Sequence, residues 1–397
     1  MRRKIVAAGH ICLDITPAIP GEAGRSIREY LSPGSLLNVG AADIHTGGSV
    51  ANTGLAMRLL GEDVHLAGKI GDDAFGKLVQ GIVAGTGTAE DAGGKPEQDS
   101  ATGAAAADGL ICRAGETTSY SVVFAPPGID RIFLHHTGAN DTFCSDDVSD
   151  DLLEGAALFH FGYPPLMRKM YENDGAELAK LLGRAKAAGA ATSLDLALMS
   201  EDSDAGRADW ERILSRVLPL TDIFVPSAEE LFYMLDRLRW RELKASAVAS
   251  GSNADFTDAL DVGRDIIPLA ARCLRMGVKI LLIKCGASGL YYSAGDEETL
   301  RCIGNAAARF PLDASAWANR SGFVPSFIPE RILSGTGAGD TCVAAFLTAI
   351  LRGYEPEMSA KLAAAEGASV LASYDALGGL KSLEELEQKI LAGWKRR

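Results

Sequence analysis

Short apolar runs alternate with helical or loop sequence along most of this chain. The runs occupy residues 5–11, 157–161, 190–196, 222–225 and 279–283. Helical sequence lies between them, for example at 176–188 and 265–276. Unbroken apolar strands are typical of a parallel sheet buried on both faces, and such strands separated by helices predict a doubly wound α/β fold. We therefore predict one α/β domain over residues 1–397, with helices on both sides of a mostly parallel sheet.

Two segments interrupt this alternation with mixed β-prone and polar residues that have no helical period. They lie at about 34–46 and at 110–124, the second continuing through 131–134. We predict that they belong to a small second sheet, with strands inserted at about 15–46 and 110–135. Three irregular segments are interpreted as insertions, at 84–109, 243–258 and 303–322. An amphipathic closing helix is expected at 383–394.

The composition narrows the class of protein. Of the 397 residues, 47% are hydrophobic, and the formal net charge is −13 without any local cluster of Lys or Arg. That charge disfavours nucleic acid and anionic membranes as partners. The seven cysteines are scattered and odd in number, as in a reducing compartment, and no apolar run reaches the ~20 residues of a membrane span. We expect a cytoplasmic enzyme.

The most informative motif is a glycine-rich turn that leads into a helix. Ser334-Gly335-Thr336-Gly337-Ala338-Gly339-Asp340-Thr341 is followed directly by the apolar run 342–351. Small residues let a ligand approach the backbone, and the N–H groups of a first helical turn favour an anion such as phosphate. Asp340 at this junction is suited to accept a proton from a hydroxyl beside that phosphate. The alternative interpretation is a glycine turn that only redirects the chain.

Two phosphate-binding motifs of other folds are excluded. In the register of the dinucleotide fingerprint G-x-G-x-x-G, Asp340 stands where the third glycine belongs, which disfavours a Rossmann dehydrogenase. The segment 71–78 has the spacing of a P-loop but ends in Leu78, where the metal-binding Ser or Thr must stand. We interpret that segment as a turn with an Asp cap that opens the next helix.

Polar residues and glycines also follow other predicted strands. Asp14 comes shortly after the first strand, at the sheet edge where ligands bind in α/β folds. Gly47 and Gly48 precede a helical run that starts near Asn52, so backbone amides and an Asn side chain are available to ligand hydroxyls. A plain turn is the simpler explanation of that glycine pair taken alone.

Two later segments each admit two interpretations. Ser227 and Glu230 begin a helix after a strand, and they either approach a hydrated Mg²⁺ or form an ordinary helix N-cap. Lys284 ends a buried strand and is followed by Gly286 and Gly289, which either approach a nucleotide or make a tight hairpin.

Taken in order, these motifs resemble those of the ribokinase-like (PfkB-type) carbohydrate kinases over nearly the whole chain. That family has an early strand that ends in Asp, as at Asp14, then Gly-Gly-x-x-x-Asn, as at 47–52, and a Gly-Asp-Asp-x-Phe-Gly turn, as at 71–76. Further along it has Asn-x-x-Glu, Gly-x-x-Gly and a final Asp-Thr-x-Gly-Ala-Gly-Asp. The last five positions of that final signature, 336–340, are intact here.

The resemblance implies a ribokinase-like fold that phosphorylates a sugar hydroxyl with ATP and Mg²⁺. It implies Asp340 as general base and the backbone of Gly337, Ala338 and Gly339 as anion hole. Sugar hydroxyls would be held by Asp14, Gly47, Gly48 and Asn52. The cofactor contacts would be Ser227, Lys284, Gly286, Gly289, Thr336 and Ala364, with Glu230 holding Mg²⁺ through water. The small sheet would be a lid that excludes water.

Three features depart from the family pattern. Ser334 and Gly335 replace an Asp-Thr pair that helps some relatives bind a monovalent cation, so activation by K⁺ is left open. Ser227 replaces the Asn of Asn-x-x-Glu, which weakens the metal and phosphate assignment but leaves Glu230. Ala364 stands near a position where relatives often have a polar adenine contact, so we expect apolar nucleotide contacts there.

The acceptor is the least defined part of this prediction. We predict a kinase for a free sugar or sugar acid, with Asn140 and Gly162 as further substrate contacts. A nucleoside kinase of the same fold and a non-catalytic sugar-binding regulator are the alternatives. Phosphosugars fit an acidic chain less well, unless Arg131 or Arg168 binds a second phosphate. Because the sheet edges of a lid can pair, we expect a homodimer joined through the lid.

Overall fold

The computed structural model describes residues 3–22, 26–85, 109–129, 131–250, 256–304, 310–373 and 377–397. The strands in these ranges are β1 (Lys4–Gly9), β2 (Cys12–Pro17), β3 (Ala42–Gly47), β4 (Asp63–Ala67), β5 (Lys69–Gly71), β6 (Ile111–Arg113), β7 (Tyr120–Phe124), β8 (Ile132–His136), β9 (Leu158–Gly162), β10 (Ala191–Asp195), β11 (Ile223–Phe224), β12 (Ile280–Lys284), β13 (Gly289–Ala294) and β14 (Ser321–Pro325).

The α-helices in the same ranges are α1 (Ile27–Tyr30), α2 (Ser49–Leu59), α3 (Ala74–Gly85), α4 (Asp150–Leu153), α5 (Arg168–Ala187), α6 (Asp204–Arg207), α7 (Trp210–Val217), α8 (Ala228–Leu235), α9 (Arg237–Ser250), α10 (Ile267–Arg275), α11 (Glu297–Leu300), α12 (Ala314–Trp317), α13 (Ala338–Leu351), α14 (Pro356–Val370) and α15 (Leu383–Leu391). None of the helices in the described parts of the chain combines the length and apolarity needed to cross a bilayer.

The central sheet has the strand order β14-β13-β12-β11-β10-β9-β1-β4. The strands from β12 to β4 pair in parallel, whereas β13 and β14 add an antiparallel edge. Alternate residues of β1 show why the sheet is buried on both faces: Ile5 and Ala7 pack with α2, α13 and α14, whereas Val6 and Ala8 pack with α5, α7 and α8. The predicted mostly parallel, doubly wound sheet is confirmed.

A second, four-stranded sheet has the order β3-β2-β7-β8 and confirms the small separate sheet. It begins immediately after β1, because only His10 and Ile11 separate β1 from β2. Asp14 therefore lies on β2 of the small sheet, not at the end of the core strand as the sequence suggested. The small sheet stands over the carboxyl ends of the parallel strands at the point where β1 leads into it.

Two of the three segments interpreted as irregular insertions contain helices. Residues 243–258 were expected to be irregular, but α9 covers Arg237–Ser250, because Trp240 and Leu243, one helical turn apart, are both buried. The segment 303–322 contains α12, which buries Trp317. Most of the predicted insertion at 84–109 lies outside the described residues.

Candidate active site

The glycine-rich turn lies between two cavities. One, of about 660 Å³, is lined by polar groups that include Asp14, Asn52 and Asp340, and we call it the polar cavity. The other, of about 580 Å³, lies between the β12–β13 hairpin and α14, and we call it the apolar cavity. Asp340 faces the polar cavity, whereas Gly339 lines the apolar one. Groups bound in the two cavities would meet at this turn.

The turn has the geometry of an anion site at a helix start. Gly337 is the N-cap of α13 and has a φ of 73°, a left-handed conformation that favours glycine. Ala338, Gly339 and Asp340 are the first three helical residues, whose N–H groups have no partner within an α-helix. These N–H groups and the helix dipole together favour a negatively charged ligand.

The Asp340 carboxylate is held by three side chains. Asn52 donates from Nδ2 to Oδ2 at 2.9 Å, and Thr53 donates to Oδ1 at 3.3 Å. Tyr163 donates its hydroxyl toward both oxygens, at 2.7 and 2.8 Å. The residue is only 4% exposed. Its carboxylate is thus fixed in one orientation at the floor of the polar cavity.

Two glycines let β3 and α2 pack closely against the first strands. A side chain at Gly48, whose φ is 84°, would place its Cβ 2.5 Å from the ring and the carbonyl oxygen of His10. A Cβ at Gly47 would lie 2.2 Å from Asp14 Oδ2. Gly48 lines the polar cavity, and Gly47 lies against Asp14. The close approach explains why glycines stand before the helix that carries Asn52.

Asp14 lines the polar cavity from the small sheet. Burial raises the pKa of its carboxyl, and hydrogen bonds with Cys12 and Ser121 and the charge of His45 oppose that rise. Cys12 Sγ lies 3.4 Å from Asp14 Oδ1. A partly buried carboxylate facing a cavity is an acceptor for ligand hydroxyls.

Two histidines of the polar cavity were not predicted as site residues. His10 lies between β1 and β2, and its Nε2 is 3.4 Å from Nε2 of His135 on β8. His135 Nδ1 also lies 3.0 Å from the Ser121 hydroxyl. Burial lowers the pKa of His10, and partial desolvation together with the charge of His136 lowers the pKa of His135, so both are neutral hydrogen-bonding groups at neutral pH. The sequence signal was weak, because His10 precedes the small sheet in an otherwise apolar run.

Tyr163 was also missed, although its hydroxyl makes a shorter hydrogen bond to Asp340 than Asn52 or Thr53 does. It follows Gly162 at the end of β9 and has a φ of 66°, which is unusual for a residue with a side chain. The only sequence signal is its place directly after a strand and before two prolines.

Two further predicted substrate contacts, Asn140 and Gly162, do not line the polar cavity, and neither does Gly47. Asn140 is fully buried, and its amide binds the backbone of Ile11 and Thr137 at 2.9 to 3.2 Å, so it joins the connection between β1 and β2 to the turn that carries Asn140. Gly162 faces Ser49, and a Cβ there would lie 1.7 Å from that hydroxyl oxygen. Both positions serve packing beneath the cavity.

The apolar cavity collects most of the predicted cofactor residues. Lys284, Gly286 and Gly289 line it from the β12–β13 hairpin, and Ala364 lines it from α14. Gly286 begins the 3₁₀ turn of that hairpin, and a Cβ at Gly289 would lie 2.1 Å from the Val324 carbonyl oxygen. The hairpin interpretation of this segment is therefore confirmed, and the same glycines also border the cavity.

Lys284 forms a buried ion pair beneath the glycine turn. Its Nζ donates to Asp195 Oδ1 at 2.7 Å. Burial alone would lower the pKa of Lys284, but the negative charges of Asp195 and Glu230 have the larger effect and raise it. Burial raises the pKa of Asp195, although the positive charge of Lys284 acts to lower it. Asp195 Oδ2 is buried and has no hydrogen-bond partner among the residues that the structure describes.

Ser227 and Glu230 form a reciprocal helix cap. The Ser227 hydroxyl accepts from Glu230 N at 3.2 Å, and Glu230 Oε2 accepts from Ser227 N at 2.7 Å. The N-cap interpretation is thus observed, and Ser227 does not line either cavity described above. In the described parts of the chain no group of three or more His, Cys, Asp or Glu side chains is placed to hold a metal ion.

An arginine connects the small sheet to the glycine turn. Arg131 lies just before β8 and donates from Nη1 to the Thr336 hydroxyl. The Ser334 hydroxyl also bonds to Thr336 Oγ1 at 3.1 Å. Arg131 and Thr336 both line the polar cavity. The small sheet thereby brings a positive charge to the predicted phosphate site.

Comparison with known proteins identifies similar chains. Residues 107–382 match the model of the pfkB family carbohydrate kinases. Fructokinase-1 of Zea mays is 25% identical over 353 residues, which is 88% of this chain and 84% of the relative.

Solved structures share the fold at lower sequence identity. Fructokinase of Xylella fastidiosa with bound ATP superposes with a TM-score of 0.65 at 19% identity, covering 99% of both chains. Ribokinase of Arabidopsis thaliana in complex with ribose and ATP superposes with a TM-score of 0.63 at 18% identity, covering 98% of both chains.

Proposed function

The chain belongs to the pfkB family of carbohydrate kinases, and from that premise we propose that it transfers the γ-phosphoryl group of ATP to a hydroxyl of a free sugar or sugar acid. The observation that carries this proposal is the position of Asp340, at the point where the polar and apolar cavities meet. A base at the junction of an acceptor site and a donor site is what phosphoryl transfer to an alcohol needs.

In the proposed reaction the acceptor lies in the polar cavity with its hydroxyl against Asp340. The hydroxyl oxygen forms a bond to the γ-phosphorus, the bond from phosphorus to the β,γ-bridging oxygen breaks, and its electron pair leaves on ADP. Asp340 takes the hydroxyl proton. The N–H groups of Ala338 and Gly339 stabilise the charge on the phosphoryl oxygens, as in an anion hole.

ATP is assigned to the apolar cavity. Its wall on α14 consists of small residues, Ala363, Ala364, Gly367 and Ala368, which leave room for a flat base. Lys284 and Gly339 lie at the end of this cavity nearest the turn, and Lys284 Cδ would be 3.8 Å from a Cβ at Gly339. The triphosphate would run from the base along this edge toward Asp340.

Mg²⁺ fits next to the Lys284 ion pair. The unpartnered Asp195 Oδ2 and the Glu230 carboxylate would accept hydrogen bonds from water molecules bound to the ion. Protein carboxylates supply only part of a magnesium site, and the phosphates of ATP supply the rest. When bound, the ion would neutralise phosphate charge.

Arg131 supports the interpretation of the small sheet as a lid. It carries a guanidinium from the small sheet to the turn, where charge develops during transfer. Closing the sheet would therefore exclude water and complete the phosphate site in one movement.

The acceptor is proposed to be a sugar because the polar cavity presents hydroxyl-binding groups: Asp14, Asn52, Ser121 and His135. A second candidate, a nucleoside, is favoured by apolar and aromatic residues that line the same cavity: Pro165, Leu166, Tyr171, Leu198 and Met199. Such a wall accommodates a base, whereas a free sugar leaves it empty.

Self-association through the small sheet is a further proposal. Apolar side chains are exposed on this sheet and beside it, among them Ile44, Phe133 and Leu134 at 43%, 51% and 62%. The outer strand β8 is an edge with exposed residues throughout. Exposed apolar edges favour pairing with a second copy. Light scattering should find a dimer, and a monomer at all concentrations would contradict it.

An ATP-consumption screen across aldoses, ketoses, sugar acids and nucleosides tests the proposed function. We expect ADP release that depends on one sugar class and on Mg²⁺. Turnover with nucleosides only would select the second candidate. Failure to turn over any acceptor, in a sample that binds ATP and is folded, would contradict the proposal.

A further inference from the structure

We propose that the Tyr163 hydroxyl covers the catalytic carboxylate against water until an acceptor alcohol replaces it, so that Tyr163 sets the ratio of sugar phosphorylation to ATP hydrolysis. This inference rests on the proposed role of Asp340 as base. It concerns a residue that no motif of the family resemblance contains.

The geometry shows how the cover works. The Tyr163 hydroxyl lies 2.7 and 2.8 Å from the two Asp340 oxygens, while Asn52 and Thr53 occupy other lone pairs of the same oxygens. Asp340 is 4% exposed as a result of this enclosure. Asn52 and Thr53 belong to the buried helix α2, whereas Tyr163 reaches the carboxylate from the position directly after β9, where it lines the polar cavity beside Asn52.

The backbone of Tyr163 is specialised for this placement. Its φ of 66° lies in the left-handed region, which is unfavourable for a residue with a side chain. The conformation is held by a hydrogen bond from Tyr163 N to the Asp195 carbonyl oxygen at 3.3 Å and by Leu166 N, which donates to the Tyr163 carbonyl oxygen at 3.0 Å. Strain of this kind persists where the orientation of the side chain is needed.

Water is the competing acceptor that such a cover would exclude. In hydrolysis the water oxygen bonds to the γ-phosphorus, the bond to the β,γ-bridging oxygen breaks with its electrons leaving on ADP, and Asp340 takes a proton from the water. The same base and the same phosphate site serve both reactions. Covering Asp340 when no sugar is bound therefore suppresses hydrolysis without weakening the site.

A sugar hydroxyl can replace the cover because it both donates and accepts. It donates its proton to Asp340, and its oxygen accepts the hydrogen bond that the phenol gave to the carboxylate. Burial and the charge of Asp340 raise the pKa of Tyr163, so its hydroxyl remains a donor throughout. Water can make the same two bonds but lacks the further hydroxyls that bind the cavity and displace the phenol.

The test compares Tyr163→Phe with Tyr354→Phe, which removes a remote phenol that bonds to Glu387 at 3.1 Å. We measure ADP release from Mg-ATP without acceptor, and phosphate transfer with the acceptor found in the screen. Tyr163→Phe should raise acceptor-independent hydrolysis about tenfold or more, and with it the ratio of hydrolysis to transfer, whereas Tyr354→Phe should change neither. Adding Asp340→Asn to Tyr163→Phe should abolish the gain.

Unchanged or reduced hydrolysis in a folded Tyr163→Phe protein would overturn the inference, as would a gain that survives Asp340→Asn. If the variant does not fold, the wild-type protein provides the test: a deoxy acceptor that lacks the phosphorylated hydroxyl should displace the phenol and stimulate hydrolysis, and no stimulation overturns the inference. Full transfer activity in Asp340→Asn would instead overturn the proposed base, and the inference with it.

Discussion

The Asn52 amide nitrogen donates to Asp340 Oδ2 at 2.9 Å, although 288 positions separate the two residues in the sequence. The bond joins two helices of the same layer, α2 and α13, which pack directly on each other. The orientation of the carboxylate thus depends on the helix packing of the core. A base held by the core is better ordered than one held by a loop.

Replacing Asn52 with Ala should misalign Asp340 and lower kcat/KM for the acceptor. We expect a loss of about 10- to 100-fold, the equivalent of about 1.4 to 2.7 kcal/mol, because one buried hydrogen bond to a charged group is lost. Steady-state kinetics would measure it, with the exposed Asn38→Ala as control. A loss below threefold would show that Asn52 does not position the base.

Gly339→Ala should separate activity from stability. The added Cβ would be 3.8 Å from Lys284, an ordinary contact, so the fold should tolerate it and α13 should gain helix propensity. In the anion site the methyl group would displace the phosphate, and we expect kcat to fall about 100-fold or more. Gly183→Ala in α5, with open space around it, should leave kcat unchanged. Full activity in Gly339→Ala would remove this turn from the phosphate site.

Ala364→Phe should fill part of the apolar cavity and weaken ATP binding. Ala364 is buried in the cavity wall, and a phenyl ring there would occupy the space assigned to the base. Calorimetry should show at least a tenfold loss of ATP affinity with acceptor affinity retained. The reverse pattern would exchange the roles of the two cavities.

Glu366 should make stability depend on pH. Burial raises the pKa of its carboxyl to about 8, and in the described part of the chain Oε2 has no hydrogen-bond partner while Oε1 accepts from Lys381 N at 3.0 Å. The folded state holds this proton more tightly than the unfolded state, whose pKa is near 4.5. The stabilisation that the protonated Glu366 contributes is therefore complete below about pH 4.5 and is lost as the pH rises through about 8.

Glu366→Gln keeps the neutral form at every pH. Its free energy of unfolding should exceed that of the wild type increasingly between pH 5 and 8, by up to about 1.4 kcal/mol per pH unit. Urea unfolding at several pH values would measure this, with Glu357→Gln on the exposed side of the same helix as control. A difference that does not change with pH would contradict the raised pKa.

The fold could be predicted because its signals are local. Apolar strand runs and the turn before α13 depend on residues that are neighbours in sequence. The structure contains both the central sheet and the small sheet that these patterns predicted. The strand β4 was not predicted because Asp63 and His65 interrupt its apolar residues, and it becomes a strand through pairing with β1.

The polar cavity was only partly predictable because its residues converge from distant elements. Asp340, Asn52 and Asp14 belong to motifs, and the structure brings them to one cavity. Tyr163 and His10 belong to no motif, and their role follows only from the register of β1 beside β9 and the placement of α13. Asn140 shows the opposite case, a polar loop residue whose hydrogen bonds are all directed inward.

Asp340→Asn tests the central claim most directly. The amide keeps the size of the side chain and can still accept one hydrogen bond, but it cannot take the acceptor proton. With the acceptor identified by the screen, we expect kcat to fall by about 10²- to 10⁴-fold, while thermal unfolding and the binding of ATP and acceptor stay close to the wild type. A folded Asp340→Asn protein that phosphorylates its acceptor within a few-fold of the wild-type rate would contradict the account.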